Sequence, residues 1–210
     1  MTTEAVEPIE ASNTALLIMD YQNGIIPMAP NPEELLTGAR QAIDLMRSHG
    51  ATIGYVRVGF ADAGEIGGSM GKRVGGTAAL EHFGADHANT QIHDDVAPEP
   101  GDIVVRKTRV GPFGSTDLHE QLQARGIDTL VLAGISTSGV VLSTVRDAHD
   151  RDYRLIVLAD LCADRDAEVH EVLTGKVFPG QAEVISAADL PGLLSWAGPP
   201  VLQIKPIGPA

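Results

Sequence analysis

Short apolar segments rich in Val, Ile and Leu alternate along this chain with longer segments in which apolar residues recur every three to four positions. The short segments have the length and composition of buried strands, and the longer ones have the periodicity of amphipathic helices. Strands that alternate with helices predict an α/β doubly wound fold, with a six-stranded, mostly parallel sheet and helices on both faces. The predicted strands cover 15–20, 52–58, 103–107, 129–134, 155–160 and 183–186.

Capping and turn residues bound the segments with helical periodicity. Asn31 and Pro32 mark the start of one segment, and Gly50 follows its end. Ser115 is placed to cap a second segment, which stops at Gly126. The predicted helices cover 32–49, 116–125, 138–151, 165–177 and 187–197.

The stretch 59–95 contains too many glycines for an element of the core. Glycine-rich segments leave the regular structure and run over the surface, where they often carry function. We expect this stretch to pass over a cleft, which makes it a candidate lid. Among its glycines are Gly64, Gly67, Gly68, Gly71, Gly75 and Gly76.

The length and composition predict one domain with a terminal segment on each side. With 210 residues, of which 43% are hydrophobic, the chain can bury one complete core. We predict a flexible N-terminal segment over 1–12, a single domain over 13–198 and a proline-rich tail over 199–210. The prolines prevent the tail from continuing a helix, and we expect its apolar residues to dock on a neighbouring subunit. The chain is therefore predicted to form a homo-oligomer, a dimer or a tetramer.

Charge and cysteine content exclude several classes of partner. A formal net charge of −13 repels phosphodiester backbones, and no run of Lys or Arg offsets it, so we expect no nucleic acid partner. The N-terminal ten residues lack a signal-peptide pattern, and no apolar stretch is long enough to span a bilayer. The single cysteine, Cys162, allows no intrachain disulfide. We expect a cytoplasmic protein that acts on a small molecule.

Candidate chemistry lies where predicted strands end. In open parallel sheets the ligand lies outside the carboxyl ends of the strands, and Asp20, Lys107 and the turn 134–140 all fall there. By themselves, Asp20 could cap a turn and Lys107 could be an exposed cation. If the two face each other in a partly dry cleft, either one can serve a general acid/base step.

The turn 134–140 joins a predicted strand to a predicted helix. Unpaired N–H groups and the positive end of the helix dipole would then face the cleft and form an anion or oxyanion pocket. Ordinary capping by Ser136 or Ser138 is compatible with the same sequence.

These motifs together resemble the isochorismatase-like cysteine hydrolases over most of the chain. The family has an Asp-x-Gln pattern, a Lys…Phe-x-x-Thr-Asp-Leu pattern and a strand-turn-helix that carries the nucleophilic cysteine. The corresponding segments here are Asp20-Tyr21-Gln22, Lys107 to Leu118 with Phe113 and Thr116-Asp117-Leu118, and 128–147. Val140 occupies the position of the cysteine.

The resemblance implies roles for particular residues. Asp20 would be the acid/base carboxylate and Lys107 its partner. The N–H groups of Ser136 and Val140 would form an oxyanion hole, and the Ile135–Ser136 peptide bond is expected to be cis. The residues expected to bind the substrate or the oxyanion are Ile135, Ser136, Thr137, Ser138, Gly139, Phe113 and Gln22. Phe60, Phe113 and Trp196 are candidates for an apolar wall, with Phe113 preferred.

Val140 restricts the possible reactions. A valine has no lone pair and no acidic proton, so a thioester route cannot pass through this position. Ser136 and Ser138 are the nearest hydroxyls, but their spacing is one residue longer than a Gly-x-Ser-x-Gly nucleophile elbow. Cys162 is expected to be a buried packing residue. Family members with glycine at this position cleave a vinyl ether by protonation and water addition, which is a precedent for catalysis without the thiol.

The sequence predicts neither a metal nor a cofactor. The nicotinamidase branch of the family places an Asp-x-His after its second strand, whereas the segment 56–62 of this chain contains no histidine. His82, His87 and His93 have spacings that define no coordination face.

Two classes of function follow from these observations. The first is a thiol-independent hydrolase that uses Asp20, Lys107 and the oxyanion pocket to cleave a C–N or vinyl-ether C–O bond. The second is a catalytically retired family member that binds a small anion or serves as an assembly partner. The substitution Asp20→Asn separates them, because it should abolish turnover in an enzyme and change only affinity in a binding protein.

Overall fold

The computed structural model describes residues 6–194, without the side chains of Met70 and Arg73. Six strands form one sheet in the spatial order β3-β2-β1-β4-β5-β6, and every neighbouring pair is parallel. The strands are β1 (Thr14–Met19), β2 (Thr52–Val58), β3 (Ile103–Lys107), β4 (Thr129–Ile135), β5 (Arg154–Ala163) and β6 (Glu183–Ile185). The order reverses between β1 and β4, and this point determines where a ligand cleft opens. The predicted fold class is confirmed.

Helices connect the strands. They are α1 (Pro32–Ser48), α2 (Gly68–Val74), α3 (Leu80–Phe83), α4 (Leu118–Ala124), α5 (Leu142–His149), α6 (Ala167–Val172) and α7 (Leu190–Leu193). Two hydrophobic clusters cover the two faces of the sheet, one around α1 and the other around α4 and α5. The central strands β1 and β4 are buried along their whole length, as expected for strands covered on both faces.

The helix predicted over 138–151 is divided into two parts. A wide turn, Thr137–Val141, precedes α5, and within it the Val141 N–H donates to the carbonyl of Ser136, five residues back. The helix predicted over 165–177 is similarly divided into α6 and a wide turn, Leu173–Val177. The apolar periodicity of the sequence does not distinguish such a turn from regular helix.

The end of β5 and the start of α4 differ from the predicted residues. Strand β5 continues to Ala163, three residues beyond the predicted end, because an irregularity in its pairing with β4 lets Gly134 pair with Cys162. Helix α4 begins at Leu118 instead of residue 116, since the hydroxyl of Thr116 accepts the Leu118 N–H. The first shift arises from pairing between strands and the second from a local hydrogen bond, and propensity encodes neither.

The segment predicted to be flexible makes contacts with the domain from residue 6 onward. Ile9 is buried, and its N–H donates to the carbonyl of Leu193. The guanidinium of Arg154 donates to the carbonyls of Glu7 and Pro8. Packing thus begins before the predicted boundary at residue 13. The tail over 199–210 and Trp196 lie outside the described residues, so tail docking and the homo-oligomer stay predictions.

Candidate active site

Asp20 follows β1 directly and has an unusual backbone conformation. Its φ of 61° is in the left-handed region, which Asp adopts more readily than most residues. The Asp20 N–H still donates to the carbonyl of Val56 in the neighbouring strand at 2.7 Å. The side chain leaves the strand direction at this point and lies at the carboxyl edge of the sheet, only 5% exposed.

Lys107, the last residue of β3, forms a buried ion pair with Asp20. Its Nζ atom lies 2.7 Å from Asp20 Oδ2 and donates to the carbonyl of Val110 at 2.7 Å. Lys107 is 2% exposed, so its position is not that of a surface cation. The pairing inferred from the sequence is therefore present in the structure.

The second carboxylate oxygen of Asp20 has no hydrogen-bond partner. Asp20 Oδ1 is buried and unsatisfied among residues 6–194. Burial raises the pKa of the Asp20 carboxyl, and the nearby ammonium of Lys107 opposes that rise. A buried oxygen without a partner is costly, so this atom is suited to interact with a molecule that enters the site.

The turn after β4 contains the predicted cis peptide bond between Ile135 and Ser136. The structure also shows a contact that the sequence did not predict: the Ser138 N–H donates to Asp164 Oδ2 at 2.7 Å. Partial burial raises the pKa of the Asp164 carboxyl, but hydrogen bonds from Ser138 together with the N–H groups of Arg165 and Asp166 lower it overall. One N–H of the turn is thus already occupied by a carboxylate of the protein.

Val140 lies at the cysteine position, buried to 2% exposure, and lines the same cavity as Asp20. Its side chain packs over Gly134, where an added Cβ atom would lie 3.2 Å from Val140 Cγ1. A side chain on Gly134 would therefore crowd the valine. The isopropyl group presents no group that could attack a substrate.

A cavity of about 470 Å³ opens above these residues. Its floor carries Asp20 and Lys107, one side is the turn after β4, and the opposite wall is apolar. The residues around it are Asp20, Ile25, Met28, Ala29, Val58, Phe60, Val74, Phe83, Lys107, Val110, Ile135, Ser136, Ser138, Gly139, Val140, Ala163, Asp164 and Arg165. Its volume suits a small metabolite.

Part of the stretch 59–95 forms this apolar wall. Val74 at the end of α2 and Phe83 at the end of α3 both line the cavity, together with Phe60. The passage of this stretch over the cleft agrees with the expectation from its glycines. Its movement as a lid stays a prediction.

Three of the residues expected to bind the substrate do not line the cavity. Phe113 stacks on Tyr153, with ring centroids 6.1 Å apart, beneath the guanidinium of Arg151. Thr137 is fully buried, and its hydroxyl pairs with His170 Nδ1 at 2.8 Å. Gln22 is also buried and its amide bonds to backbone groups. Because these side chains are engaged elsewhere, Phe60 and not Phe113 supplies the aromatic wall.

Asp164 and Arg165 were not predicted as site residues. Both line the cavity, and Arg165 Nη2 lies 2.7 Å from Met28 Sδ, a weak acceptor. No carboxylate lies within ion-pair distance of Arg165 in the described part of the chain. A strand that extends to Ala163 places both residues at the edge where the ligand lies, so a longer predicted β5 would have identified them.

The remaining histidines and the cysteine have other surroundings. His87 Nδ1 and His93 Nδ1 accept N–H groups of their own turns, from Asn89 and Asp95. Within residues 6–194 no group of three or more His, Cys, Asp or Glu is arranged to hold a metal ion. Cys162 is buried, and this burial raises the pKa of its thiol to about 12. No described helix is long and apolar enough to cross a membrane.

Comparison with known proteins identifies the family to which this chain belongs. The isochorismatase domain model matches residues 14–189. The chain is 34% identical over 173 residues to the uncharacterized isochorismatase family protein YwoC of Bacillus subtilis, covering 81% of this chain and 88% of that protein. It is 34% identical over 182 residues to the ureidoacrylate amidohydrolase RutB of Stutzerimonas stutzeri, covering 73% and 72%.

A solved structure with the same fold is the N-carbamoylsarcosine amidase of Thermoplasma acidophilum. The two chains superpose with a TM-score of 0.68 at 30% identity, covering 83% of this chain and 96% of that one. The fold and the matched domain agree. This chain belongs to the isochorismatase family, as a variant whose single cysteine is buried away from the catalytic position.

Proposed function

We propose that this protein is a thiol-independent hydrolase that acts on a small molecule by acid/base chemistry. Asp20 is the acid/base group, Lys107 is its partner, and the turn with Ser136 and Val140 is the oxyanion pocket. The observation that carries the proposal is the buried Asp20–Lys107 pair on the cavity floor, in which Asp20 Oδ1 has no partner among the described residues. A binding scaffold does not need such a costly buried arrangement.

The pair supports proton transfer at one defined atom. Lys107 holds Asp20 Oδ2, which leaves Oδ1 to take a proton from a water molecule or to give one to a leaving group. For a C–N bond, water adds to the carbonyl carbon, Asp20 takes its proton, and the amine leaves with that proton. For a vinyl ether, protonated Asp20 gives its proton to the alkene carbon, and water adds to the resulting oxocarbenium carbon and returns a proton to Asp20. The hemiketal then breaks its C–O bond, and the products are an alcohol, which takes that proton, and a carbonyl compound.

Val140 is the reason for proposing direct attack by water. With no nucleophile at this position, no covalent bond forms between the turn and the substrate. The backbone N–H groups of Ser136 and Val140 then stabilise the developing oxyanion during C–N cleavage. Apolar walls from Phe60 and Phe83 exclude bulk water and strengthen these interactions.

Arg165 favours a substrate that carries a carboxylate. Among residues 6–194, this cation at the cavity edge has only a weak acceptor, Met28 Sδ, beside it. A guanidinium binds a carboxylate through two parallel hydrogen bonds. The names of two relatives, ureidoacrylate amidohydrolase and N-carbamoylsarcosine amidase, describe enzymes that act on acids with an amide-type C–N bond. We therefore place small amide or ureido acids first among the candidate substrates.

An activity screen tests the proposal. Wild type, Asp20→Asn and Val140→Cys are assayed against small amides, ureido acids, imides, esters and vinyl ethers. Turnover by the wild type that Asp20→Asn abolishes, with folding unchanged by circular dichroism, is the expected result. The pH profile then separates the reactions, because a general base loses activity as pH falls through its pKa and a general acid loses activity as pH rises.

A second candidate is a retired family member that binds a small anion. Val140 itself favours it, because the side chain at the catalytic position cannot react. Its signature in the same screen is no turnover by the wild type together with amidase activity in Val140→Cys. That result would reject the proposed hydrolase.

A further inference from the structure

Gln22 is almost fully buried, and within the described range 6–194 its side-chain amide is bonded only to backbone groups. Its Oε1 atom accepts the Val58 N–H at 2.8 Å, and its Nε2 atom donates to the carbonyls of Val58 and Thr90, both at 2.8 Å. The residue is 1% exposed and does not line the cavity. A ligand could reach this amide only by breaking bonds that are costly to lose in a buried setting.

The first two of these bonds close a ring around the ion pair. Val58 is the ladder partner of Lys107, and the Gly59 N–H donates to the Lys107 carbonyl at 3.2 Å. Lys107 Nζ reaches Asp20, and the Gln22 N–H donates to the Asp20 carbonyl at 2.8 Å. The ring therefore runs from Asp20 through the Gln22 side chain to Val58, across the sheet to Lys107, and back to Asp20.

The third bond connects the same turn to the apolar wall. The hydroxyl of Thr90 donates to the carbonyls of Gly84 and His87, each at 2.8 Å, which makes this part of the excursion compact. The adjacent Phe83, whose carbonyl accepts the Phe60 N–H at 2.8 Å, lines the cavity. Gln22 thus joins the end of β1, the end of β2 and the base of the cavity wall.

We propose that Gln22 is a positioning residue that sets the separation of Asp20 and Lys107. It also holds the segment 83–90, whose Phe83 lines the cavity, against the site. It acts without touching the ligand. The structural part of this proposal is argued from the hydrogen bonds described above. Only its kinetic part rests on the proposed hydrolase function. Reacting groups tolerate displacements of well under about 1 Å. Loss of a residue that holds Asp20 and Lys107 at their separation should therefore lower turnover more than it weakens binding.

Hydrogen exchange of backbone amides tests the structural part without any substrate. Gln22→Leu is expected to raise exchange about tenfold or more both in the segment 18–22 and in the segment 84–92. The matched control is Gln91→Leu. Gln91 Nε2 also donates to carbonyls of the excursion, those of Ala85 and His87. The carbonyls of Gln91 and Asn89 accept the N–H groups of Asn23 and Gly24, so this control should raise exchange in 84–92 and at those two residues but not in 18–22.

Gln22→Asn gives a second and milder variant in case Gln22→Leu does not fold. Its amide is one methylene shorter and cannot span to both Val58 and Thr90, so it should show the same two-segment pattern at smaller amplitude. If neither Gln22 variant raises exchange in 18–22 above the Gln91→Leu level, Gln22 does not hold the β1 turn in place. This outcome is independent of whether the wild type hydrolyses anything.

Steady-state kinetics test the functional part on any substrate that the wild type turns over. The expected result is a drop in kcat of about tenfold to a hundredfold with KM changed less than about twofold. A Gln22 that contacts the substrate would instead raise KM. A rise in KM with kcat unchanged would overturn the positioning role, and an inactive wild type would reject the hydrolase proposal while leaving the exchange result valid.

Discussion

Lys107 Nζ lies 2.7 Å from Asp20 Oδ2 although the two residues are 87 positions apart in the chain. The strands that carry them are separated by β2, so the contact spans two strand spacings at the carboxyl edge of the sheet. Both side chains are buried, which makes each dependent on the other's charge. This relationship underlies the first prediction.

Replacing Lys107 with Met should destabilise the fold by about 3 to 5 kcal/mol at neutral pH, because it leaves a buried carboxylate without its cation. Burial then raises the pKa of Asp20 further above its value of about 3.9 in the unfolded chain. The native state holds the proton where the unfolded state has lost it, so the free energy of unfolding falls as pH rises through this window.

Urea denaturation of Lys107→Met at pH 5 and pH 8 measures this effect. The loss relative to wild type should be larger at pH 8, and the double variant Asp20→Asn/Lys107→Met should recover most of it. An equal loss at both pH values would mean that Asp20 is already ionised at pH 5 in the folded variant, so that its pKa is not raised into this window.

Arg165→Gln should weaken the binding of substrates that carry a carboxylate. Loss of a charged hydrogen bond of about 1.5 to 3 kcal/mol corresponds to a KM increase of about tenfold to a hundredfold, with kcat changed little. Arg125→Gln is the control, since Arg125 lies at the end of α4 and bonds to the Gln121 carbonyl. The two variants should have the same KM on neutral substrates. Equal KM values of the two variants on carboxylate substrates would reject a role of Arg165 in binding the carboxylate.

Cys162 should be inert to thiol reagents in the folded protein. Its side chain is 5% exposed, and burial raises the pKa of the thiol to about 12, so almost no thiolate exists near neutral pH. Ellman's reagent at pH 8 should modify it only after denaturation. Rapid modification of the native protein would show that this part of β5 opens.

Phe113 and Phe60 should respond differently to substitution with Leu. Phe113→Leu removes a ring stacked on Tyr153 and should lower the free energy of unfolding by about 1 kcal/mol without changing KM. Phe60→Leu alters the cavity wall and should change KM. Thermal melts and kinetics of both variants check this, and a changed KM in Phe113→Leu alone would contradict the placement described above.

Asp164→Asn and Asp164→Ala examine the turn that holds Ser136 and Val140. Asn keeps an acceptor for the Ser138 N–H, whereas Ala removes it, so Ala should lose about 0.5 to 1 kcal/mol more stability than Asn. The lowered pKa of Asp164 means that its ionised form stabilises the fold above the unfolded pKa of about 3.9. That contribution is lost as pH falls below this value, and thermal melts between pH 3 and pH 6 measure it.

The position of Gln22 illustrates what the motif pattern alone misses. The pattern identifies it two residues after Asp20, and this is correct in the chain, but its amide turns to Val58 and Thr90 instead of the cavity. Phe113 is similar, since its ring packs against Tyr153, a residue 40 positions later. In both cases the partner comes from another part of the chain, and no local pattern specifies it.

Local pattern by itself determined most strand positions, the doubly wound class and the placement of Asp20, Lys107 and the turn 134–140 at the carboxyl ends of strands, because apolar periodicity is a property of neighbouring residues. The tertiary structure alone decided which carboxylate oxygen lacks a partner, which aromatic ring forms the wall and that Asp164 and Arg165 border the cavity. These features depend on how distant strands align at one edge of the sheet. Hydrogen-bond completion and packing between segments far apart in sequence determine that alignment, and they exist only once the chain has folded.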